Sequence, residues 1–181
     1  WRKCNESRVR RRNPLFCKET LISPCLLAVD WLHCLSLGVF AVFLNFVFHW
    51  LIDGNVFGFE SSSRVGVFAS SLDRIRAMLF DWYASERKAG RSPTPVQALT
   101  ANMIGAKGSG DLGTQGAETN TMLEFVVSVL PALRAARRIK GYSQVLRAGQ
   151  ALCRMLSLLH DNKGHWPAGA IQDICEEYNV H

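Results

Sequence analysis

Leu26–Ile52 reads LLAVDWLHCLSLGVFAVFLNFVFHWLI, and the reading of this stretch decides the fold. From Trp31 to Ile52 it runs 22 residues without a Lys, Arg, Asp or Glu, long enough to cross a bilayer as a helix. Its small and polar residues are not scattered. Asp30, Cys34, Gly38, Ala41, Asn45 and His49 follow one another at steps of 4, 4, 3, 4 and 4. On a helix those steps gather them into one stripe, with Leu, Val and Phe around the rest. Such a helix suits the middle of an all-helical domain, where the stripe packs closely on a neighbour. A membrane helix in a bundle can use the same stripe. Asp30 and His33 share a face one turn apart. An acid and an imidazole are costly to bury unless paired or functional, so the simplest reading is a mutually satisfied pair orienting the helix end.

Upstream of this helix the chain is basic. The whole protein has 181 residues and a formal net charge of +6. Residues 1–18 carry Arg2, Lys3, Arg8, Arg10, Arg11, Arg12 and Lys18 against Glu6 alone, which accounts for all of the excess. A Lys/Arg run draws phosphate backbones or anionic headgroups, and Arg8–Arg12 resembles a short nuclear-import signal. Residues 1–22 are therefore expected to form a basic, flexible segment ahead of one helical domain over 23–181. The chain begins at Trp1 rather than Met, and is read as a piece of a longer protein. The six cysteines form no C-x-x-C pair, which points to buried, reduced thiols rather than a zinc site. With 48% hydrophobic and 20% charged residues, disordered and collagen-like classes are excluded.

Downstream, Gly54 to Gly66 reads as a loop, and Ser71 as the N-cap of a helix running to about Lys88 with Gly90 closing it. Leu72, Ile75, Met78, Leu79 and Trp82 mark its apolar face. Thr94, Pro95 and Gln97 have the order of an N-cap, first helical position and capping box for a short helix ending near Ile104. The glycines from Gly105 to Gly116 lack the order of a phosphate loop and read as a connector. A helix from Ala117 must kink or restart at Pro131. Ala132–Lys140 is expected as a basic helical face, followed by helices over Tyr142–His160 and Ala168–Tyr178. The sole strand-like run is Val65–Phe68. The expected fold is mainly α, a multi-helix domain around a long apolar central helix with little or no sheet.

Three segments, in order, carry a family resemblance. Asp30-Trp31-Leu32-His33, followed by Leu35 and Leu37-Gly38-Val39-Phe40, resembles the D-x-x-H…G-h motif (h, apolar) of eukaryotic cut-and-paste DNA transposases, the RNase H-like, acid-triad enzymes of large transposable elements. Pro95–Gly105 is similar to part of their helical insertion. Gly116-Ala117-Glu118-Thr119, leading into the apolar Met122–Leu133, is similar to the motif that presents their last catalytic acid at a helix start. The likeness spans residues 13–160, most of the chain.

That resemblance implies catalytic roles for Glu118, Asp30 and His33, with Glu118 and Asp30 as ligands to a divalent metal (Mg²⁺) for phosphodiester cleavage and strand transfer if the full-length enzyme is active, and no cofactor otherwise. It implies DNA as partner, self-association and a nuclear location. Arg8, Arg10, Arg11, Arg12, Arg134, Arg137, Arg138 and Lys140 become the candidate phosphate contacts. No residue of this chain corresponds to the family's first catalytic Asp, so the expectation is a helical insertion that does not cleave DNA by itself. Two other readings stand beside it: a membrane-anchored small helical protein with 31–52 as its span, and a helical interaction module without chemistry.

Overall fold

A helix of mixed pitch runs through the centre of the protein in a computed structural model, which describes residues 30, 32–60, 63–133, 135–161 and 169–178. Its first part, Leu32–Phe40, is π-helical, and it continues directly into α1, Ala41–Asp53. Gly38 permits the wide turn: a Cβ there would lie 2.8 Å from the carbonyl oxygen of His33, five residues back. Then come α2 (Arg64–Lys88), α3 (Ala101–Ile104), α4 (Gly116–Val129), 3₁₀ turns at Leu130–Ala132 and Ala136–Arg138, α5 (Tyr142–Asp161) and α6 (Ala170–Tyr178). No strand occurs among the described residues, so the fold is mainly α. The chain divides into two units, Trp1–Asp30 and Trp31–His181. Asp30, at the end of the first unit, is exposed. All of the described helices and their core belong to the second unit.

The core forms around the central helix because its apolar residues line more than one side of it. Phe40, Leu44, Val47 and Phe48 expose no surface at all. α4 contributes Met122, Leu123, Phe125 and Val126, and α2 contributes Leu72, Ile75 and Leu79. Each such side chain is worth about 1.5–3 kcal/mol relative to exposure, so the central helix is the main source of cohesion. α4 packs on the π-helical stretch and on α5, α1 packs on α2, and α6 packs on α5. α5 reaches α1 and α4 through Gly149, where a Cβ would sit 2.8 Å from Val127 Cγ2 and 3.1 Å from Phe43 Cζ. The second half of the small-and-polar stripe behaves as its spacing predicts, with Ala41, Asn45 and His49 buried. The first half does not, since the π turn rotates it out of register and leaves Cys34 exposed.

Several local expectations need correction. α2 begins at Arg64, seven residues before the expected N-cap. Ser71 is instead a fully buried interior residue, its hydroxyl meeting no hydrogen-bond partner among the described residues. Val65–Phe68 is helix, not strand. Thr94, Pro95 and Gln97 lie in an irregular strap over 91–100, and the short helix starts after Thr100, whose hydroxyl accepts from the Met103 N–H at 3.2 Å. Long-range contacts hold that strap straight: the Tyr83 hydroxyl accepts from the Val96 N–H at 2.9 Å, and Arg76 Nε donates to the Leu99 carbonyl. Ala132–Lys140 is no continuous helix either: one 3₁₀ turn, Leu130–Ala132, ends at its start, and another, Ala136–Arg138, lies within it.

Candidate functional site

The expected final acid sits where its motif puts it, at the third position of α4, and its carboxylate already has an occupation. Glu118 Oε2 accepts from the Gln115 N–H at 2.8 Å, which satisfies one of the donors a helix start leaves open. Thr119 Oγ1 donates to the Gln115 carbonyl at 3.0 Å and meets the Thr114 hydroxyl at 2.7 Å, so the helix entry is held rigid. The Tyr83 hydroxyl is close by. Burial raises its pKa and the Glu118 charge adds to that rise.

His33 lies exposed on the π-helical stretch, the element that packs directly on α4. The helix that carries His33 is therefore a neighbour of the helix that carries Glu118. Asp30 belongs to the other unit of the chain. Among the described residues no group of three or more His, Cys, Asp and Glu converges as a metal would need. The described residues do not by themselves make a ligand set for Mg²⁺.

The basic candidates divide in two. Arg8, Arg10, Arg11, Arg12 and Arg134 lie outside the described residues. Arg137, Arg138 and Lys140 are exposed, on a segment bound tightly to the end of α1. Trp50 Nε1 donates to the Lys140 carbonyl at 3.3 Å, and Ile139 packs so closely on Gly54 that a Cβ there would lie 2.3 Å from Ile139 Cδ1. Arg137 Nη2 donates to the Pro131 carbonyl at 2.6 Å. With Ile139 turned inward, the charged heads on either side face solvent. The stretch extends further than sequence patterning indicated. Between Glu124 and Asp161 there are six bases (Arg134, Arg137, Arg138, Lys140, Arg147 and Arg154) and no acid. Arg147 and Arg154 are both exposed, two turns apart on α5.

Two further arrangements have no local signature. Asn45 is 1% exposed, and its Nδ2 donates to the carbonyls of Ile104, Ala106 and Asp111 at 2.6, 3.2 and 3.1 Å. His49 Nε2 meets the Gly105 carbonyl at 3.1 Å. The polar stripe of the central helix thus clamps the glycine connector, and Gly105 takes the left-handed φ of +74° that this tight path demands. Across the molecule, α4, α5 and the strap at 92–94 enclose a pocket of about 490 Å³, lined by Asn120, Glu124, Cys153, Ser157, His160 and Asp161 among others. Burial pushes the Cys153 thiol up to about 12, with the Glu124 charge adding to it, so this cysteine is no nucleophile. Glu124 is exposed as a whole residue, yet desolvation still raises its carboxyl pKa, and repulsion from Glu86 raises it further.

Comparison of the chain with protein-family models, with curated proteins and with solved structures gives no match.

Proposed function

We propose that this chain is a helical, phosphate-binding part of a longer DNA-handling protein of the acid-triad transposase type, and does not cleave DNA on its own. The observation that carries the reading is the acid-free stretch between Glu124 and Asp161, whose Arg137, Arg138, Lys140, Arg147 and Arg154 all reach solvent. Exposed cations without interleaved acids attract a nucleic-acid backbone and release its counterions. They position a duplex without reading its bases. Residues 1–18 carry seven further bases against one acid, a composition with the same affinity for phosphate. The ordered likeness of the D-x-x-H and G-A-E-T segments supports the transposase type, and the helix that carries His33 and Leu35–Phe40 packs on the one that carries Glu118. The resemblance to eukaryotic transposases implies a nuclear location for this role. Glu118 is assigned to the final acid by its position, and no metal-dependent step is assigned to this chain.

The test is duplex-DNA binding by the 181-residue chain across a series of salt concentrations, for the native protein and for Arg137→Ala/Arg138→Ala/Lys140→Ala. Three lost phosphate contacts make the slope of log K against log salt shallower by roughly 2–3. An unchanged slope removes this face from the interface. Absence of any salt-dependent binding removes the reading.

An exposed apolar row on the central helix, Val39, Val42 and Phe46, favours a second reading, with this face against a membrane. Vesicle partitioning of the same chain separates the two, since the DNA reading requires none.

A further inference from the structure

The strap that follows α2 contains Ser92-Pro93-Thr94-Pro95, two hydroxyls each followed by a proline. Neither helix nor strand forms over 91–96. A proline fixes its own φ and pushes the residue before it into extended backbone. Ser92 and Thr94 thus share an extended geometry, and both are exposed. Their flanks differ. Residues 87–92 are all exposed, Pro93 is half-buried, and Thr94 and Pro95 are exposed again. Gly90, two residues ahead of Ser92, has no atom within 4 Å of where a Cβ would stand. Beyond Thr94 the strap is anchored instead. The Thr94 carbonyl accepts from the Tyr83 hydroxyl at 3.5 Å, and Val96 is buried with its N–H donating to the same oxygen at 2.9 Å. Ser92 therefore has open chain on both sides, whereas Thr94 abuts a stretch fixed to the core. The chain's other Ser-Pro step, Ser23-Pro24, lies outside the described residues.

An enzyme that modifies a side chain of a folded protein must lay the flanking backbone across its own groove. Access to the flanks therefore matters as much as exposure of the hydroxyl. A proline after the acceptor has chemical meaning too. It brings no N–H, so a groove without an acceptor at that point admits proline and is penalised for any other residue. We propose that Ser92 is a phosphorylation site for a proline-directed protein kinase, with Mg²⁺-bound ATP as the co-substrate. In the transfer, Ser92 Oγ forms a bond to the γ-phosphorus and the bond from that phosphorus to the bridging oxygen breaks. The bridging electron pair leaves with ADP, and the hydroxyl proton passes to a carboxylate of the kinase. The product carries about two negative charges at the edge of the pocket that Glu124 and Asp161 also line, so that rim becomes strongly acidic. The site does not depend on DNA binding, and the two stand or fall separately.

The experiment is a timed phosphorylation of the folded 181-residue chain by kinases of the cyclin-dependent and mitogen-activated classes, each site read by peptide mass mapping. Ser92 should take up phosphate, with Thr94 following more slowly. Pro93→Ala keeps the Ser92 hydroxyl but restores an N–H after it. The rate at Ser92 should then fall about tenfold or more, the penalty for an N–H enclosed without an acceptor. Thr94→Ala leaves the Ser92-Pro93 step whole and should not change that rate. No phosphate on Ser92 of the native chain from either kinase overturns the inference, whatever happens at Ser23. So does faster modification of Thr94 than of Ser92, or modification of Pro93→Ala at the native rate.

Discussion

Replacing Asn45 by Ala should loosen the protein at its centre. The two hydrogens of Asn45 Nδ2 are shared among three carbonyls of the glycine connector, those of Ile104, Ala106 and Asp111, at 2.6, 3.2 and 3.1 Å. The bond to Ile104 is buried and the other two partly so. A net bond is worth about 1 kcal/mol, and a buried acceptor left bare costs about 1–3 kcal/mol. Since water can reach two of the three carbonyls, the loss should total about 2–4 kcal/mol. For a chain of this size that lowers the melting temperature by roughly 5–15 °C. Asn45→Asp should be at least as harmful, because it sets acceptor against acceptor. Urea unfolding gives the magnitude, and amide exchange at 105–111 gives the location. A loss under about 0.5 kcal/mol, the level of an ordinary surface change, would refute the clamp. So would a larger loss that leaves exchange in the connector unaltered.

Three other perturbations have definite expected outcomes. Glu118→Ala should cost about 0.5–2 kcal/mol through the lost cap, whereas Glu118→Gln keeps an oxygen for the Gln115 N–H and should fold as the native chain does; equal destabilisation by both, read by thermal melts, counts against the capping role. Asp53 is hydrogen-bonded by Lys107 and Arg64, which hold its carboxyl below the ordinary 3.8. Its contribution is therefore complete above the unfolded pKa and is lost as pH falls through the folded one. The stability gap between native and Asp53→Asn should accordingly close in acid, and a gap that widens there contradicts the assignment. Cys153, with its thiol at about 12, should alkylate at least about 100-fold more slowly than exposed Cys34 until the chain unfolds, as peptide mass mapping would show; comparable rates would mean that the thiol is not buried as described.

The helical class was legible because apolar spacing carries it. Leu72, Ile75 and Leu79 of α2 are buried at the intervals their sequence announces, and α4 gives way to a tighter turn at Pro131 as a proline requires. Helix starts were less legible. Ser71 has the chemistry of an N-cap, but core packing carries α2 through it, and the local preference yields. Thr94–Gln97 has a capping sequence too, yet Tyr83 and Arg76, distant in the chain, bind the backbone on either side of Val96–Leu99 in a non-helical form. Gly38 is ordinary in sequence, and its π turn is visible only in space. Of the site residues, Glu118 was placed correctly at a helix start because Gly116–Thr119 is a contiguous signal. Asn120, Glu124, Cys153 and His160 had no such signal, since they line one pocket from two helices separated by residues 130–141. The acid-free run from Phe125 to His160 is plain in sequence, but the overall balance of 21 bases and 15 acids conceals it by averaging.

The apolar stretch that decides the fold can be tested most directly in solution. Native-state amide exchange of the 181-residue chain, in aqueous buffer without detergent, reads the protection of α1. With Leu44, Val47 and Phe48 fully buried, the Ala41–Asp53 amides should be among the slowest in the protein, opening only with global unfolding. Fast exchange of those amides in buffer, with protection gained only on adding lipid vesicles, would contradict a soluble helical core and make the stretch a membrane segment instead.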